Sequence, residues 1–140
     1  MRVCIEDIAE RLEMASDDWD QFFNVETGEI VILSNNMYDE ADEELAERIE
    51  NSDLYVILPG QYEIHEWRIM ESFTMEIISD NRREELLRVL HKPKSYRRFK
   101  DAINRLGLDS AYYEYRFRVF CKIAVEWCEH SNIQYYTKTT

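Results

Sequence analysis

The residues best suited to chemistry in this 140-residue chain are the cations between Ser95 and Arg105. The segment reads SYRRFKDAINR, and helical spacing puts its charged residues on the face opposite its apolar ones. Guanidinium and ammonium groups bind phosphates and carboxylates through charge-assisted hydrogen bonds. We therefore predict an anion-binding face, extended by the cations that precede the segment. The residues of this cationic surface are Arg97, Arg98, Lys100, Arg105, Lys92, Lys94, Arg82 and Arg83.

The uneven charge of the chain leaves two kinds of partner open for these cations. Residues 1–80 carry 22 Asp and Glu against 4 Lys and Arg, a net charge of -18, whereas residues 81–140 carry 7 against 13, a net charge of +6. Such asymmetry indicates an anionic partner outside the chain, or one half of the chain holding the other. The outside partner would be an acidic protein or a nucleic acid. The inside partner would be the acidic helix predicted over residues 40–51.

Residues typical of enzymes are few and poorly spaced. Cys121 and Cys128 lie two helical turns apart near His130, so a thiol-imidazole pair would need His65 or His91 to approach from another helix. Buried thiols are the alternative, because free cysteine is among the most buried residue types. The glycines stand too far apart for a phosphate-binding loop, and no His-Glu-x-x-His motif occurs. We therefore lean toward a protein that is not an enzyme, with no catalytic residue and no cofactor.

Acidic clusters are the candidates for a metal site. They are Asp17, Asp18 and Asp20, and the run DEADEE at residues 39–44. Carboxylate oxygens suit Mg²⁺ and Ca²⁺, but neither cluster has the order of ligands and glycine of an EF-hand loop. A solvated helix start accounts for most of these charges. We predict no metal ligands.

The first half of the chain predicts a small sheet and two helices. The segments WDQFFNV and EIVILS flank the turn ETG and are rich in aromatic and β-branched residues, which predicts a hairpin near residues 19–34. The run LYVIL, stopped by a Pro-Gly pair, predicts a third strand near residues 54–58. Apolar periodicity predicts helices over residues 5–15 and 40–51, and Asp39 is placed to cap the second one.

The second half predicts helices alone. We expect Asp80 and Ser95 to cap two of them, and Gly107 to end the second of these two. Apolar periodicity predicts that Tyr96 and Tyr113 face the core. The predicted helices cover residues 64–77, 81–91, 95–106 and 109–130.

These elements predict an α+β fold, with a small antiparallel sheet of about three strands packed against four to six helices and a long C-terminal helix. The length predicts a single globular domain over residues 1–140. No apolar run is long enough to span a membrane, and the first residues lack the apolar core of a secretion signal. Three cysteines form no pattern typical of disulfides or zinc, so we expect a cytoplasmic protein.

Three segments resemble one protein family. They are DDWDQFFNVETGEIVIL, DLYVILPGQYEIHEWRIMESF and YRRFKDAINRLGL, the last followed by YYEY and AVEW. Together they are similar to uncharacterised protein family 158, conserved bacterial proteins, over roughly residues 5–133. The resemblance implies a bacterial, cytosolic, single-domain protein and no mechanism. One departure is Lys92–Tyr96, where family members often have Gly-basic-Gly-Ala-Phe before the two arginines.

The function that the sequence favours is a non-enzymatic interaction or regulatory module that presents the cationic surface to an anionic partner. One alternative is a nucleic-acid-binding domain similar to a helix-turn-helix, because HKPK joins two helices and the second is cationic. Another alternative is a small hydrolase or metal-dependent enzyme with an unrecognised site. The sequence does not specify the oligomeric state.

Overall fold

The structure is a computed structural model that describes residues 1–36, 39–77 and 79–138. The chain forms two compact units. The first unit is Met1–Ile64 together with Phe120–Thr140, and the second unit is His65–Val119. The single domain expected from the length of the chain stays a prediction.

The chain is an α+β protein, as the sequence predicts. Its described strands are β1 (Val3–Cys4), β2 (Trp19–Asn24), β3 (Ile30–Ser34), β4 (Tyr55–Ile57) and β5 (Tyr135–Tyr136). Its described helices are α1 (Ile5–Leu12), α2 (Glu40–Glu50), α3 (Gln61–Ile64), α4 (Glu66–Met75), α5 (Asp80–Leu90), α6 (Ser95–Arg105) and α7 (Asp109–His130). No helix within the described ranges is both long enough and apolar enough to cross a membrane.

The predicted three-stranded antiparallel sheet is confirmed, in the order β3-β2-β4. Phe22 of the central strand lies opposite Val31 on one side and Ile57 on the other. Two features form the turn of the hairpin. Asn24 Oδ1 accepts hydrogen bonds from two successive backbone N–H groups, and Gly28 adopts a positive φ of 78°. Two-residue strands β1 and β5 form a separate parallel pair that the sequence pattern does not predict, because so short a strand carries no periodicity.

Helix packing completes the first unit. Helix α1 buries Ile5, Ile8 and Leu12 almost completely and ends at Leu12, three residues earlier than predicted. Trp127 of α7 meets Phe23 edge to face at 5.7 Å, and its Nε1 donates a hydrogen bond of 2.8 Å to the Ile57 carbonyl. This indole therefore joins α7 to the edge strand of the sheet through both an apolar and a polar contact.

Two predicted helix starts need correction. Ser79, not Asp80, is the N-cap of α5, and its side chain accepts a hydrogen bond from Arg82 N. Ser95 is the first residue of α6, and its cap is Lys94, which has no side-chain cap bond and a left-handed backbone with φ of 58°. The predicted helix over residues 64–77 is broken at His65, which has φ of 54° and separates α3 from α4. Periodicity is blind to such single left-handed residues, because the apolar spacing resumes beyond them.

Gly107 ends α6 as predicted. Its φ is 71°, its N–H donates to the Asn104 carbonyl, and Leu108 N–H donates to the Ile103 carbonyl at 2.8 Å. These two bonds define a Schellman motif, which satisfies carbonyls that the end of a helix would leave unpaired. Helix α6 is thus terminated one turn before α7 begins.

The aromatic core of the second unit differs from the prediction by one residue. Tyr112 is fully buried between Phe73 and Phe99, with both ring pairs edge to face, whereas Tyr113 is 43% exposed. Tyr96, also predicted to face the core, is 47% exposed. The inward stripe of α7 runs from Tyr112 through position 116 to Phe120, and the charge of Arg116 hides this register from a hydrophobicity pattern.

Candidate functional site

The cationic surface lies within the second unit, on α5, on the turn His91–Lys94 and on α6. Arg82 and Arg83 are in the first turn of α5, and Lys92 and Lys94 are exposed in the connecting turn. Proline at position 93 keeps this turn short. The helices α5 and α6 that it joins pack against each other, so one pair of packed helices and its connecting turn carry all eight cations.

Arg97 and Arg98 of α6 are, like Arg82 of α5, arginines of this surface whose side chains have no partner among the described residues. Both are exposed on α6, and neither guanidinium has a hydrogen bond or an ion pair to any residue that the structure describes. Helix α6 is buried through Phe99, Ala102 and Ile103, which leaves Arg97 on the opposite face and Arg98 on the flank, both exposed. These two side chains are therefore available to an external anion.

Two other arginines are held by carboxylates of α5. Arg83 pairs with Asp80 and also donates a hydrogen bond of 2.9 Å to the Ile77 carbonyl. Arg105 pairs with Glu85, and its side chain remains 60% exposed. Exposed pairs of this kind contribute about 0–1 kcal/mol to stability. They lower the net charge at Arg83 and Arg105 without closing either site to a competing anion.

Lys100 lies between the two exposed tyrosines. Its Nζ is 4.4 Å from the centre of the Tyr96 ring and 5.7 Å from the centre of the Tyr113 ring. Burial by itself disfavours the charged ammonium, but hydrogen bonding and electrostatic attraction to Tyr96, and then to Tyr113, outweigh it and raise the pKa of Lys100. Lys100 therefore stays charged, and it lies beside Tyr96 rather than opposite to it as predicted.

The carboxylate of Asp101 reduces the positive charge at the centre of α6. It is exposed and stands one helical turn from Arg97 and one turn from Arg105. A polar concavity of about 270 Å³ opens beside it, lined by Lys100, Asp101, Ile103, Asn104, Asp109 and Tyr113. The surface thus combines cations with two carboxylates, an amide and an aromatic ring.

The charge of the two units differs in sign. Residues 65–119 hold 12 Lys and Arg against 9 Asp and Glu, a net charge of +3, whereas the rest of the chain holds 5 against 20, a net charge of -15. The cations of the cationic surface thus lie in a positively charged unit of a strongly acidic chain. In the sequence, the acidic part of the chain is divided from the basic part at residue 80, whereas the positively charged unit of the structure already starts at His65, fifteen residues earlier.

Sequence reasoning missed one group of polar residues in the second unit. Arg116 Nε donates to both Glu66 oxygens at 2.8 and 3.1 Å, and the buried Tyr112 hydroxyl donates to Glu66 Oε1 at 3.0 Å. The side chains of Arg116 and Glu66 are only 17% and 21% exposed. Desolvation, with the Glu66 charge second, raises the pKa of Tyr112 far above its usual value. The sequence feature that could have indicated this group is a charged residue, Arg116, at helical spacing between the aromatic residues Tyr112 and Phe120.

The surroundings of Cys121 and Cys128 disfavour the thiolate, which is the nucleophilic form of cysteine. Burial raises the pKa of Cys128 to about 11, and Glu129 adds to the effect. Burial also raises the pKa of the half-buried Cys121, with smaller contributions from Glu6 and Cys4. Catalytic thiols need a lowered pKa, because the thiolate is the nucleophile. Within the described ranges, no three His, Cys, Asp or Glu side chains lie close enough together to hold a metal ion.

A larger cleft of about 600 Å³ lies in the first unit, and no motif in the sequence predicts it. Its walls carry charges of both signs, from Arg2, Arg11, Asp7 and Glu29, over an apolar floor that includes Phe23. Arg2 stacks on the Tyr136 ring at 5.6 Å, and Asp7 pairs with Lys138 at its rim. The carboxylates neutralise the guanidinium groups, so this cleft has no dominant charge to select a ligand.

The fold and the site define a small α+β protein whose second unit presents a cationic helix, α6, packed against α5. A sequence model described as "Uncharacterised protein family (UPF0158)" matches residues 1–140, and the chain belongs to this family. The family membership expected from the three sequence segments is thereby confirmed. No curated protein matches the chain, and no solved structure matches it.

Proposed function

We propose that this protein is a non-enzymatic interaction or regulatory module, which captures an anionic partner on the cationic surface of α5 and α6. The observation that carries the proposal is that the side chains of Arg97 and Arg98 are exposed and unpaired among the described residues. In a chain of net charge -12, both are exposed on one helix and neither has an ion-pair partner among the described side chains. Arginine is suited to this role, because its planar fork binds carboxylate and phosphate in a bidentate manner.

The remaining cations differ in how much they are expected to contribute to binding. Lys92 and Lys94 extend the surface into the exposed turn, and Arg82 extends it along α5. Arg83 and Arg105 already have carboxylate partners on α5 and contribute less. The raised pKa values of Cys121 and Cys128 support a non-enzymatic role over a hydrolase that uses either thiol.

We infer that the protein works in the bacterial cytoplasm. Cys4 and Cys128 are buried and, like Cys121, are free thiols, which suits a reducing compartment. The resemblance to conserved bacterial proteins is the basis for inferring a bacterial origin. The compartment can be tested directly by localisation of a tagged chain in a bacterial host.

The experiment that tests the proposal is charge reversal with a matched control. Arg97→Glu with Arg98→Glu should weaken binding of fluorescent inorganic polyphosphate at least about tenfold, because each charged hydrogen bond contributes about 1.5–3 kcal/mol. The control is Arg68→Glu with Lys122→Glu, two exposed cations outside this surface that carry the same change in charge. It should retain most of the affinity.

Thermal unfolding of the same two variants separates an outside partner from an internal one. If no acidic residue of the chain pairs with Arg97 and Arg98, reversal of their charge should shift the thermal midpoint no more than the control variant does. A large loss of stability confined to the Arg97 and Arg98 variant would show that acidic residues of the same chain hold these side chains. That result, or equal polyphosphate affinities for both variants, would refute the proposal.

A second candidate, a domain similar to a helix-turn-helix, has one observation in its favour. Helices α5 and α6 are consecutive, packed together and joined by four residues, and the second helix is the cationic one. In that arrangement α6 would enter the major groove of duplex DNA. The prediction specific to it is tighter binding of duplex than of single strands.

A further inference from the structure

Two tyrosines stand on the cationic surface with their rings exposed. Tyr96 of α6 is 47% exposed and Tyr113 of α7 is 43% exposed, and the ammonium of Lys100 lies between them. A surface that only attracts carboxylates or free phosphates has no use for exposed aromatic rings, which are costly to leave in water. The contact of both rings with the Lys100 ammonium indicates a ligand with both anionic groups and flat apolar groups.

The two rings are held in place rather than loose. Tyr113 packs edge to face against the fully buried Tyr112 at 5.3 Å. Tyr96 is one helical turn from Lys100, whose ammonium contacts its ring. Rings that are already ordered lose little conformational entropy when a ligand stacks on them. The pair therefore forms a prepared stacking platform.

Helix geometry places the phosphate-binding groups beside this platform. Arg97 precedes Lys100 by three residues, so the two cations are neighbours on α6. The concavity of about 270 Å³ next to Tyr113 has Asn104 and Asp109 in its wall. Sites for whole small molecules occupy about 300–1,000 Å³. The concavity is thus of a size for one ring or sugar of a longer ligand, with hydrogen-bonding groups at hand.

We propose that the anionic partner is a single-stranded nucleic acid, with unpaired bases stacked on Tyr96 and Tyr113 and phosphates bound by Arg97 and Lys100. This inference rests on the proposed function, because it names the ligand of the same surface. Stacked bases on aromatic side chains inside a cationic groove are the usual means of binding single strands without sequence preference. A duplex offers no base faces to stack, and an acidic protein offers carboxylates without rings.

The negative charge of the chain does not prevent this binding at physiological salt. The net charge is -12. At such ionic strength, exposed charges separated by more than about 8 Å are largely screened from each other. A strand on the platform therefore responds mainly to the nearby cations and to Asp101 and Asp109, the two carboxylates that line the concavity.

The test compares two anionic probes on the whole chain. Fluorescein-labelled oligothymidylate and oligouridylate of about 12 nucleotides fit the range of known single-strand sites, and inorganic polyphosphate is the probe without bases. Tyr96→Ala with Tyr113→Ala should weaken oligonucleotide binding at least about tenfold, since one stacked base contributes about 1–3 kcal/mol. Polyphosphate affinity should change by less than about twofold.

Three further variants exclude trivial explanations. Tyr62→Ala removes a tyrosine that is 89% exposed in the first unit and should leave both affinities unchanged. Tyr96→Phe with Tyr113→Phe keeps the rings and should retain oligonucleotide binding. Tyr96→Ala alone covers the case in which loss of Tyr113 disturbs the core through Tyr112, because it should still weaken oligonucleotide binding several-fold.

Salt dependence adds an independent readout. The logarithm of oligonucleotide affinity should fall with the logarithm of salt by about 0.7 for each phosphate bound, and Arg97→Gln should lower that slope by about 0.7. The tyrosine variants should lower affinity without changing the slope.

The outcomes separate this inference from the proposed function. If wild type binds polyphosphate or polyglutamate but neither oligonucleotide, or binds a duplex more tightly than a single strand, the inference fails and a cationic capture surface remains. Equal losses for both probes in the tyrosine variants also overturn it, because the rings would then only support Lys100. If reversal of Arg97 and Arg98 has no effect on any probe, the proposed function itself fails.

Discussion

At the scale of single residues, left-handed backbone marks three junctions of this fold. His65 separates α3 from α4, Lys94 precedes α6, and Asn132 follows α7. Asn132 ends α7 much as Gly107 ends α6, because Ile133 N–H donates to the Cys128 carbonyl at 2.8 Å. Asparagine tolerates this conformation, but lysine gains nothing from it. Lys94 is therefore the most strained of the three, and it lies on the cationic surface.

Replacement of Lys94 by glycine should stabilise the protein. A left-handed L-residue costs about 1–2 kcal/mol, and the greater freedom of glycine in the unfolded chain returns part of this. We expect Lys94→Gly to raise the free energy of unfolding by about 0.5–1 kcal/mol in urea denaturation. The control is Lys92→Gly, which removes the same charge from the same turn at a residue without positive φ and should destabilise by a similar amount. Equal effects of the two variants would contradict this account.

At the scale of elements, the sequence predicts what local chemistry decides. The hairpin, the third strand, the Asp39 cap of α2 and the Gly107 stop of α6 are all found as predicted, because turns and caps depend on a few neighbouring residues. The register of the first half of α7 is missed, since Arg116 occupies an inward position, where it pairs with Glu66 of α4. The exposure of Arg97 and Arg98 follows from periodicity, whereas the tyrosine platform depends on packing between α6 and α7.

The Tyr112 hydroxyl links α7 to α4 and should make stability depend on pH in alkali. Its pKa is raised in the folded protein by burial and then by Glu66, so above about pH 10 the unfolded chain loses this proton first. The contribution of Tyr112 is therefore complete below about pH 10 and is lost by about 1.4 kcal/mol for each further pH unit. Tyr112→Phe should cost about 1–2 kcal/mol at neutral pH.

The measurement for Tyr112 is the difference in unfolding free energy between wild type and Tyr112→Phe from pH 8 to pH 11. That difference should shrink above about pH 10, because the phenylalanine has no proton to lose. Tyr115 and Tyr135, whose pKa values are also raised, are present in both chains and cancel. A difference that stays constant with pH would show that the hydroxyl is not desolvated in the folded state.

At the scale of the whole molecule, the central question is whether a bound anion senses the entire chain or only the cationic surface. The second unit carries +3 and the rest -15, so these two cases predict opposite responses to distant charges. Screening at physiological salt favours the local case, with a Debye length of about 8 Å. At low salt the same length grows to about 30 Å, and the acidic majority of the chain should begin to repel the ligand.

Neutralising one carboxylate at a time distinguishes the two cases. Asp101→Asn removes the negative charge one helical turn from Arg97, whereas Glu47→Gln removes an exposed one from α2 in the other unit, and both change the net charge equally. Two charges about 8 Å apart in water interact by about 0.5 kcal/mol, so Asp101→Asn should raise polyanion affinity about twofold at physiological salt. Glu47→Gln should have little effect there and should approach the effect of Asp101→Asn only when the salt is lowered. Equal effects at every salt concentration would mean that net charge, and not the arrangement of α6, governs what this protein binds.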